Sequence, residues 1–467
     1  MDKEKKQPNI IVILADDLGE WALGCTGNPD VKTPHIDRLA NRGVRLTNFF
    51  CTSPVCSPAR ASLLTGQIPS QHGVHDWLLS RNKDESSIEY LQGQIGYTDI
   101  LRENGYVCGL SGKWHLGNSQ EKQKGFEDWY VHAHGGGPYY QAEMIKDGQV
   151  TIENEYITDV ITDNGLQFLD KYATGEQPFY LGIHYTAPHS PWINQHPQQY
   201  VDLYDETILQ AHPKNEEHPW STTKYRENHY EHLRGYFASI TAMDDNIGRI
   251  IQKVEDAGLR EDTVIWFLSD NGLNFGQHGI WGKGNGTFPQ NMYDTSIKIP
   301  AIASHPSVLP EGKLVDSLVS GYDFMPTLLA YAGIEYANPK LPGRSFCDEM
   351  VQVEEKTSKD EKVVVFDEYG PVRMIRTKEF KYVHRYPHGP HELYDLIKDP
   401  EESSNVINHH AYEEIQQQMS QQLNEWFLTY VHPEMDGIRR GVTGAGQKGE
   451  VGLKGEGKNV FANWPTP

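Results

Sequence analysis

Short apolar runs alternate with stretches of helical spacing along the first two thirds of the chain. Asn9 to Leu14 is apolar without alternation and stops at Ala15-Asp16-Asp17. Such a run predicts a strand buried on both faces of a parallel sheet, with its carboxylates at the carboxyl end where open α/β folds place their sites. Pro34 to Arg42 reads as a short helix and Val44 to Phe50 as the next strand. Ser57-Pro58-Ala59-Arg60 opens a helix, with Pro58 in the first turn, where a missing N–H costs least. Tyr97 to Asn104 is a helix ended by Gly105, and Tyr106 to Leu110 a strand. Glu155 to Tyr172 is amphipathic, and Phe179 to His184 is a buried strand. His232 to Ala257 carries Tyr236, Ile240, Ile247, Ile251 and Val254 at helical spacing, and Thr263 to Leu268 runs straight into Ser269-Asp270-Asn271-Gly272. Helix then strand, repeated, predicts a mostly parallel sheet covered on both faces.

The pattern changes near residue 351. Val351 to Lys362 is charged and linker-like; Val363 to Phe366, Val372 to Arg376 and Phe380 to His384 read as short antiparallel strands, followed by a helix from Tyr412 to Tyr430. This predicts a catalytic α/β domain over 1–350 and a small α+β unit over 351–440. A Gly- and Lys-rich segment, 441–467, is expected to be either a tail or an arm lying on the main domain. A chain of 467 residues is long enough for that division.

Charge narrows the partners. Lys and Arg number 42 against 64 Asp and Glu, a formal net charge of −22. Nucleic acid, which needs a basic face, is excluded as a partner. Five scattered cysteines do not read as a disulfide framework. The first eight residues lack a signal-peptide core and no run is of membrane-spanning length, so a cytoplasmic location without membrane contact is expected, or export if a leader has been trimmed away.

The segment Pro54-Val55-Cys56-Ser57-Pro58-Ala59-Arg60-Ala61-Ser62-Leu63-Leu64-Thr65-Gly66 sets a cysteine at a helix N-terminus with an arginine one turn on. Helix dipole, free N–H groups and guanidinium together make an anion site. Inert buried cysteines also precede helices, and the residues alone leave both readings open. Asp16, Asp17, Asp270 and Asn271, each pair following an apolar strand, offer four oxygen-bearing side chains. An all-oxygen set favours Ca²⁺ or Mg²⁺ over Zn²⁺.

Cys-x-Pro-x-Arg followed by two residues, two apolar residues and Thr-Gly resembles the modification motif of the sulfatases. Gly105-Tyr106-Val107-Cys108-Gly109-Leu110-Ser111-Gly112-Lys113-Trp114-His115 resembles their second motif, with Cys108 where Ser or Thr is usual. Ala187-Pro188-His189-Ser190-Pro191 and Trp281-Gly282-Lys283 are similar to two further segments. Arg376 to Tyr382 and Glu392 to Leu396 resemble the family's C-terminal sheet. The resemblance implies an alkaline-phosphatase-like fold, a central mixed sheet flanked by helices with a smaller four-stranded sheet alongside. It implies that a sulfatase-maturing enzyme oxidises Cys56 to formylglycine. One hydroxyl of the hydrated aldehyde attacks sulfur, and deprotonation of the other lets sulfate leave without water attacking sulfur. It further implies one Ca²⁺, Mg²⁺ less so, held by Asp16, Asp17, residue 56, Asp270 and Asn271. Arg60, Lys113, His115, His189 and Lys283 would then handle sulfate: the cations neutralise charge, His115 acts as base, and His189 protonates the leaving alcohol.

These motifs handle only the sulfate. A sulfated carbohydrate, small molecule or oligosaccharide, is the first expectation for the substrate, and an aryl or alkyl sulfate the second. Loops His72 to Trp77 and His132 to Gly137, the segment around Arg439 and Arg440, and the aromatics Trp77, Tyr139 and Trp192 are candidates for the leaving-group pocket. His132-x-His134 supplies two ligands for a transition metal but no third, and His184 is either a core histidine or a substrate contact. A phosphonate monoester or phosphodiester hydrolase of the same superfamily is the rival enzyme. An inactive binding relative is disfavoured because every site position in the motifs is retained.

Overall fold

The computed structural model describes residues 7–79, 87–205, 209, 213, 215–222, 227–352 and 364–463. Among them a ten-stranded mixed sheet forms the centre. Its strands run, edge to edge, Lys313–Val315, Val44–Leu46, Ala301–Ser304, Thr263–Ser269, Asn9–Ala15, Phe179–His184, Val107–Gly112, Asp128–His132, Ala142–Lys146 and Gln149–Glu153. The five strands from Thr263–Ser269 to Asp128–His132 are mutually parallel; antiparallel pairs flank them on both sides.

The unbroken apolar runs have a simple cause. Alternate residues of Asn9–Ala15 face opposite layers, and both layers are dry. Ile10, Val12 and Leu14 join a core with Trp266, Leu268 and Leu110 on one face. Ile11 and Ile13 join Ile183, Ile265 and Phe267 on the other, beneath the helices Pro34–Asn41, Ile157–Tyr172 and His229–Asp256. Parallel register then brings the strand ends level: Ala15 pairs Ser269, Leu14 pairs His184, and His184 pairs Gly112. Whatever follows those residues is delivered to one place.

Several elements depart from the sequence expectation. Val44 to Phe50 is not one strand. It breaks at Thr47 and Asn48, which bond Val315 and Asp316 carbonyls, and Phe49–Phe50 pairs instead with Val319–Ser320. Strands Asp128–His132, Ala142–Lys146 and Gln149–Glu153 lie outside the sequence expectation; the outermost is largely exposed and carries no apolar run, while the other two are mostly buried but only five residues long. The expected linker over Val351 to Lys362 lies mostly outside the described residues. Of the two readings of the C-terminal segment, residues 441–463 form an arm on the main body: Gln447 is fully buried, and Phe461 is buried with it.

The second sheet is antiparallel, Val364–Tyr369, Val372–Arg376, Phe380–Arg385 and Glu392–Asp395. Helix Glu413–Tyr430 covers it, with Met419, Leu423 and Phe427 against Ile375, Tyr382 and Leu393. A buried charge network fastens this sheet to the larger one. Lys381, fully buried, donates to the Met292 carbonyl at 2.9 Å, to Asp294 Oδ1 at 2.5 Å and to Glu402, while Arg376 reaches Asp294 Oδ2 at 3.0 Å. Burial would raise the Asp294 carboxyl, yet Lys381 and Arg376 hold it below the usual range; burial pushes Glu402 up to about 7 against Lys381. Lys381→Met should therefore cost about 3–5 kcal/mol in denaturant unfolding, because it leaves buried carboxylates uncompensated. Lys378→Ala, which breaks an exposed pair with Asp316, should stay within about 0.5 kcal/mol. Equal effects from the two would refute the clamp.

Candidate active site

The carboxyl ends of four adjacent strands deliver Asp270 and Asn271, Asp16 and Asp17, the turn leading to His189, and Lys113 to one buried cluster. Helix Cys56–Thr65 points its N-terminus into that cluster, and every residue of the helix is buried. Cys56 Sγ lies 3.3 Å from Asp16 Oδ1, 3.7 Å from Asp17 Oδ1 and 2.8 Å from Lys283 Nζ. Arg60, one turn along, donates from Nε to Asp270 Oδ2 at 2.8 Å and sits 3.8 Å from Asp16 Oδ1. Lys113 Nζ reaches Asp16 Oδ2 at 2.5 Å, and Lys283 Nζ reaches Asp17 Oδ1 at 2.5 Å. His189 Nε2 is 3.6 Å from Asp17 Oδ2.

Charges this deep are stable only when balanced. Burial raises the Asp16 carboxyl, with Lys113 opposing. Burial is the largest single influence on Asp17 and Asp270 too and would raise both, but the surrounding cations together outweigh it, Lys283 and His189 foremost at Asp17 and Arg60 and Lys113 at Asp270, so both lie below the ordinary range. Desolvation would lower Lys283, yet Asp17, Cys56, Asp16 and Asp270 together hold it well above its ordinary value. Burial and then Asp16 push the Cys56 thiol well up.

Asn271 gives the test for a cation. Its amide nitrogen is engaged with Asp17 Oδ1 at 2.8 Å and the Gly272 carbonyl at 2.9 Å, while its buried Oδ1 has no hydrogen-bond partner among the described residues. Ligand atoms of Asp16, Asp17, Cys56 and Asp270 lie within 4.8 Å of one another. An orphaned oxygen beside three carboxylates fits a hard divalent ion.

His115 and Asp17 both adopt positive φ, 57° and 64°, a strained backbone for residues with side chains. The His115 ring donates from Nε2 to the Leu78 carbonyl at 2.9 Å, leaving Nδ1 buried and without a partner among the described residues. Burial, followed by the charge of Lys113, keeps it neutral. Gly135 lies flat on this ring; a Cβ there would come within 2.1 Å of it, so the glycine run His134-Gly135-Gly136-Gly137 borders the site. A Cβ on Gly284 would come within 2.4 Å of Pro54, a close approach that seats the Lys283 loop beside Cys56.

Other expectations need correction. Trp192 and Tyr139 are buried side chains packed within the fold. Trp192 is buried against Phe275, Tyr236 and His232 with its indole on the Pro188 carbonyl, and Tyr139 is buried with its hydroxyl on the His189 carbonyl. His72 and His75 are buried and bonded inside the fold, and the Trp77 indole donates to Gly444 O. His134 Nε2 pairs with Glu143 Oε2 at 2.9 Å, and the His132 ring nitrogen Nδ1 meets the backbone of His134. The Arg440 side chain donates to the Glu434 carbonyl. His184 is partly buried and donates to the Lys113 carbonyl at 3.2 Å; desolvation, then Arg60, pull it down to about 3.

No sequence signal marks Asn291, which donates to the Lys283 and Gly284 carbonyls at 3.0 and 3.2 Å and so holds the lysine loop. A small cavity of about 20 Å³ opens beside His115, lined by Leu78, Ile88, Tyr90, Asn118 and His134 among others.

A family model described as Sulfatase matches residues 8–334, the span that carries every residue of this cluster. The chain belongs to the sulfatase family. A second model, described as N-sulphoglucosamine sulphohydrolase, C-terminal, matches residues 276–428. The N-acetylglucosamine-6-O-sulfatase of Bacteroides thetaiotaomicron is 26% identical over 93% of this chain and 88% of its own. A protein solved in complex with its substrate D-glucosamine-2-N,6-O-disulfate superposes with a TM-score of 0.77 at 24% identity, covering 93% of this chain and 100% of its own. The phosphonate monoester hydrolase of Agrobacterium radiobacter shares the fold, with a TM-score of 0.72 at 21% identity over 91% and 96% of the two chains. This sulfatase is a sulfuric ester hydrolase.

Lys283→Ala should lower kcat by about 10²–10³ on every sulfate ester in a panel, as loss of one positioned charge stabiliser does. Trp192→Ala should instead cost about 3–5 kcal/mol of stability and leave the ranking of substrates unchanged. A lysine variant that lost only one sugar would make Lys283 a specificity residue.

Proposed function

We propose that this sulfatase hydrolyses the sulfate ester of a sulfated carbohydrate, with formylglycine at position 56 as nucleophile and one divalent cation, Ca²⁺ before Mg²⁺. The observation that carries the reading is the placing of Cys56: a buried Sγ at a helix N-terminus, 3.3 Å from Asp16 and 2.8 Å from Lys283. A protonated thiol is a poor nucleophile, and burial keeps this one protonated. Formylglycine, made by a maturation enzyme that also supplies the oxidant, provides a hydrated aldehyde with one hydroxyl to attack sulfur and a second to release sulfate. Asp16, Asp17, Asp270, Asn271 and residue 56 would hold the cation, which lowers the nucleophile's pKa and draws charge from the sulfate oxygens.

The remaining roles follow from the chain's own groups. Arg60, Lys113 and Lys283 are fixed cations in a space closed to water, where they act strongly on developing negative charge. His115, with its proton fixed on Nε2, presents Nδ1 as a base. His189 Nδ1 donates to the Ser190 carbonyl at 2.6 Å, which turns Nε2 toward the cluster as the acid for the leaving oxygen. The carbohydrate assignment is supported by the hexosamine sulfates named for two similar proteins.

Protein from a host with maturation machinery should yield a Cys56 peptide with the mass of the aldehyde, and Cys56→Ala should remove turnover while keeping the unfolding midpoint. Full activity from a wholly unmodified peptide would overturn the assignment. Chelation should abolish activity and Ca²⁺ should restore it, with oxygen ligands at about 2.3–2.6 Å in a holo crystal structure; nitrogen–sulfur coordination would refute the ligand set. Parallel rates on aryl sulfate and aryl phosphonate esters decide between this reading and the phosphonate hydrolase whose fold it shares.

A further inference from the structure

The C-terminal arm bonds to segment 73–79, which backs His115, and to the loop that carries Lys283. Gln447 is its centre. Its backbone N–H donates to the Trp77 carbonyl at 2.7 Å and its carbonyl accepts from Leu79 N at 2.9 Å. Its side chain is fully buried: Oε1 accepts from His75 N at 2.8 Å, and Nε2 donates to the Gly73 and Gly449 carbonyls at 3.0 and 2.9 Å. Just before it, Gly444 N and Gly446 N both donate to Asp76 Oδ2, at 3.0 and 3.1 Å, and Asp76 Oδ1 accepts from the Tyr369 hydroxyl at 2.5 Å. The arm thus pairs with the outer edge of segment 75–79.

The inner edge of that segment faces the site. Leu78 N donates to Ser57 Oγ at 3.0 Å, next to Cys56, and the Leu78 carbonyl accepts from His115 Nε2. The Gly444 carbonyl makes the second connection. It accepts from the Trp77 indole at 3.1 Å and from Asn285 Nδ2 at 3.0 Å. Asn285 lies two residues from Lys283 in the loop that Gly284 seats against Pro54.

We infer that residues 442–463 are a strap that completes the active site: through Leu78 they fix the position and tautomer of His115, and through Asn285 the position of Lys283. A carbonyl only accepts, so while the Leu78 oxygen faces Nε2 the imidazole proton stays there and Nδ1 keeps its lone pair. If segment 75–79 shifts, the proton is free to move to Nδ1, and the base is lost although the residue remains. Gln447 and Asn285 are positioning residues; neither touches Cys56. The inference rests on the roles proposed above for His115 and Lys283.

The test uses the full-length chain with Gln447→Ala, Asn285→Ala and, as control on the arm's exposed side, Lys454→Ala. Hydrogen–deuterium exchange is read on peptides covering 73–79, 283–291 and 372–385, and kinetics on an aryl sulfate are normalised to the converted fraction of Cys56. Gln447→Ala should raise exchange at 73–79 but not at 372–385, and lower kcat roughly 10- to 100-fold with KM little changed, the range that small misplacements of catalytic groups produce. Asn285→Ala removes a single bond at a half-buried site and should raise exchange at 283–291 alone, with a smaller loss of kcat. Lys454→Ala should match the parent. Raised exchange with unchanged kcat would overturn the strap, since the arm would then be packing only. Lowered kcat without raised exchange at either loop would overturn it too. Failure of Cys56 to convert in the parent would sink the proposed nucleophile instead, and the exchange data would still read the strap.

Discussion

Burying carboxylates and cations together at the ends of parallel strands is the constraint on which the rest of this molecule depends. Asp16, Asp17 and Asp270 are fully or almost fully inaccessible, and so are Arg60, Lys113 and Lys283. Neither set would be tolerable alone. Together they form a nearly neutral polar cluster whose geometry is dictated by strand register rather than by loop conformation. Ala15 opposite Ser269 puts Asp16 beside Asp270, and Gly112 opposite His184 puts Lys113 in the same plane. Apolar layers on both faces hold those strands, and the charged cluster is held in turn by the layers. The site can therefore be highly charged without being mobile.

How much of this the sequence disclosed depends on how local each signal is. The apolar strand followed by Asp-Asp, the apolar strand followed by Asp-Asn, and the cysteine and arginine at a helix start are each complete within about a dozen residues, and their meeting follows from parallel topology. The edge strands lacked such a signal because exposure removes the apolar run. Trp192 misled for another reason: nearness to His189 in sequence says nothing of direction, and the indole turns into the layer beneath helix His229–Asp256. Asn291, Leu78 and Gln447 were invisible because they act through backbone carbonyls and amides. Gln447 Oε1 meets an amide 372 positions away, and any residue offers such an amide.

The two ends of the site are built differently. The charged cluster is made of strand termini and one helix start. The side beside His115 is made of loops, the glycine run and the walls of the neighbouring cavity. Under the proposed mechanism the first would take the sulfate and the second the alcohol, whose recognition would then fall to segments free of strand or helix requirements.

The burial of Cys56, about 2% exposed at the head of a wholly buried helix, also sets a timetable. No second enzyme can reach that sulfur once the sheets have closed over it, and local opening of so central an element is as rare as global unfolding. If position 56 is converted as proposed, conversion has to win a race against folding. A chain that folded first would keep its thiol sealed in, with the fold in place and the proposed nucleophile never made.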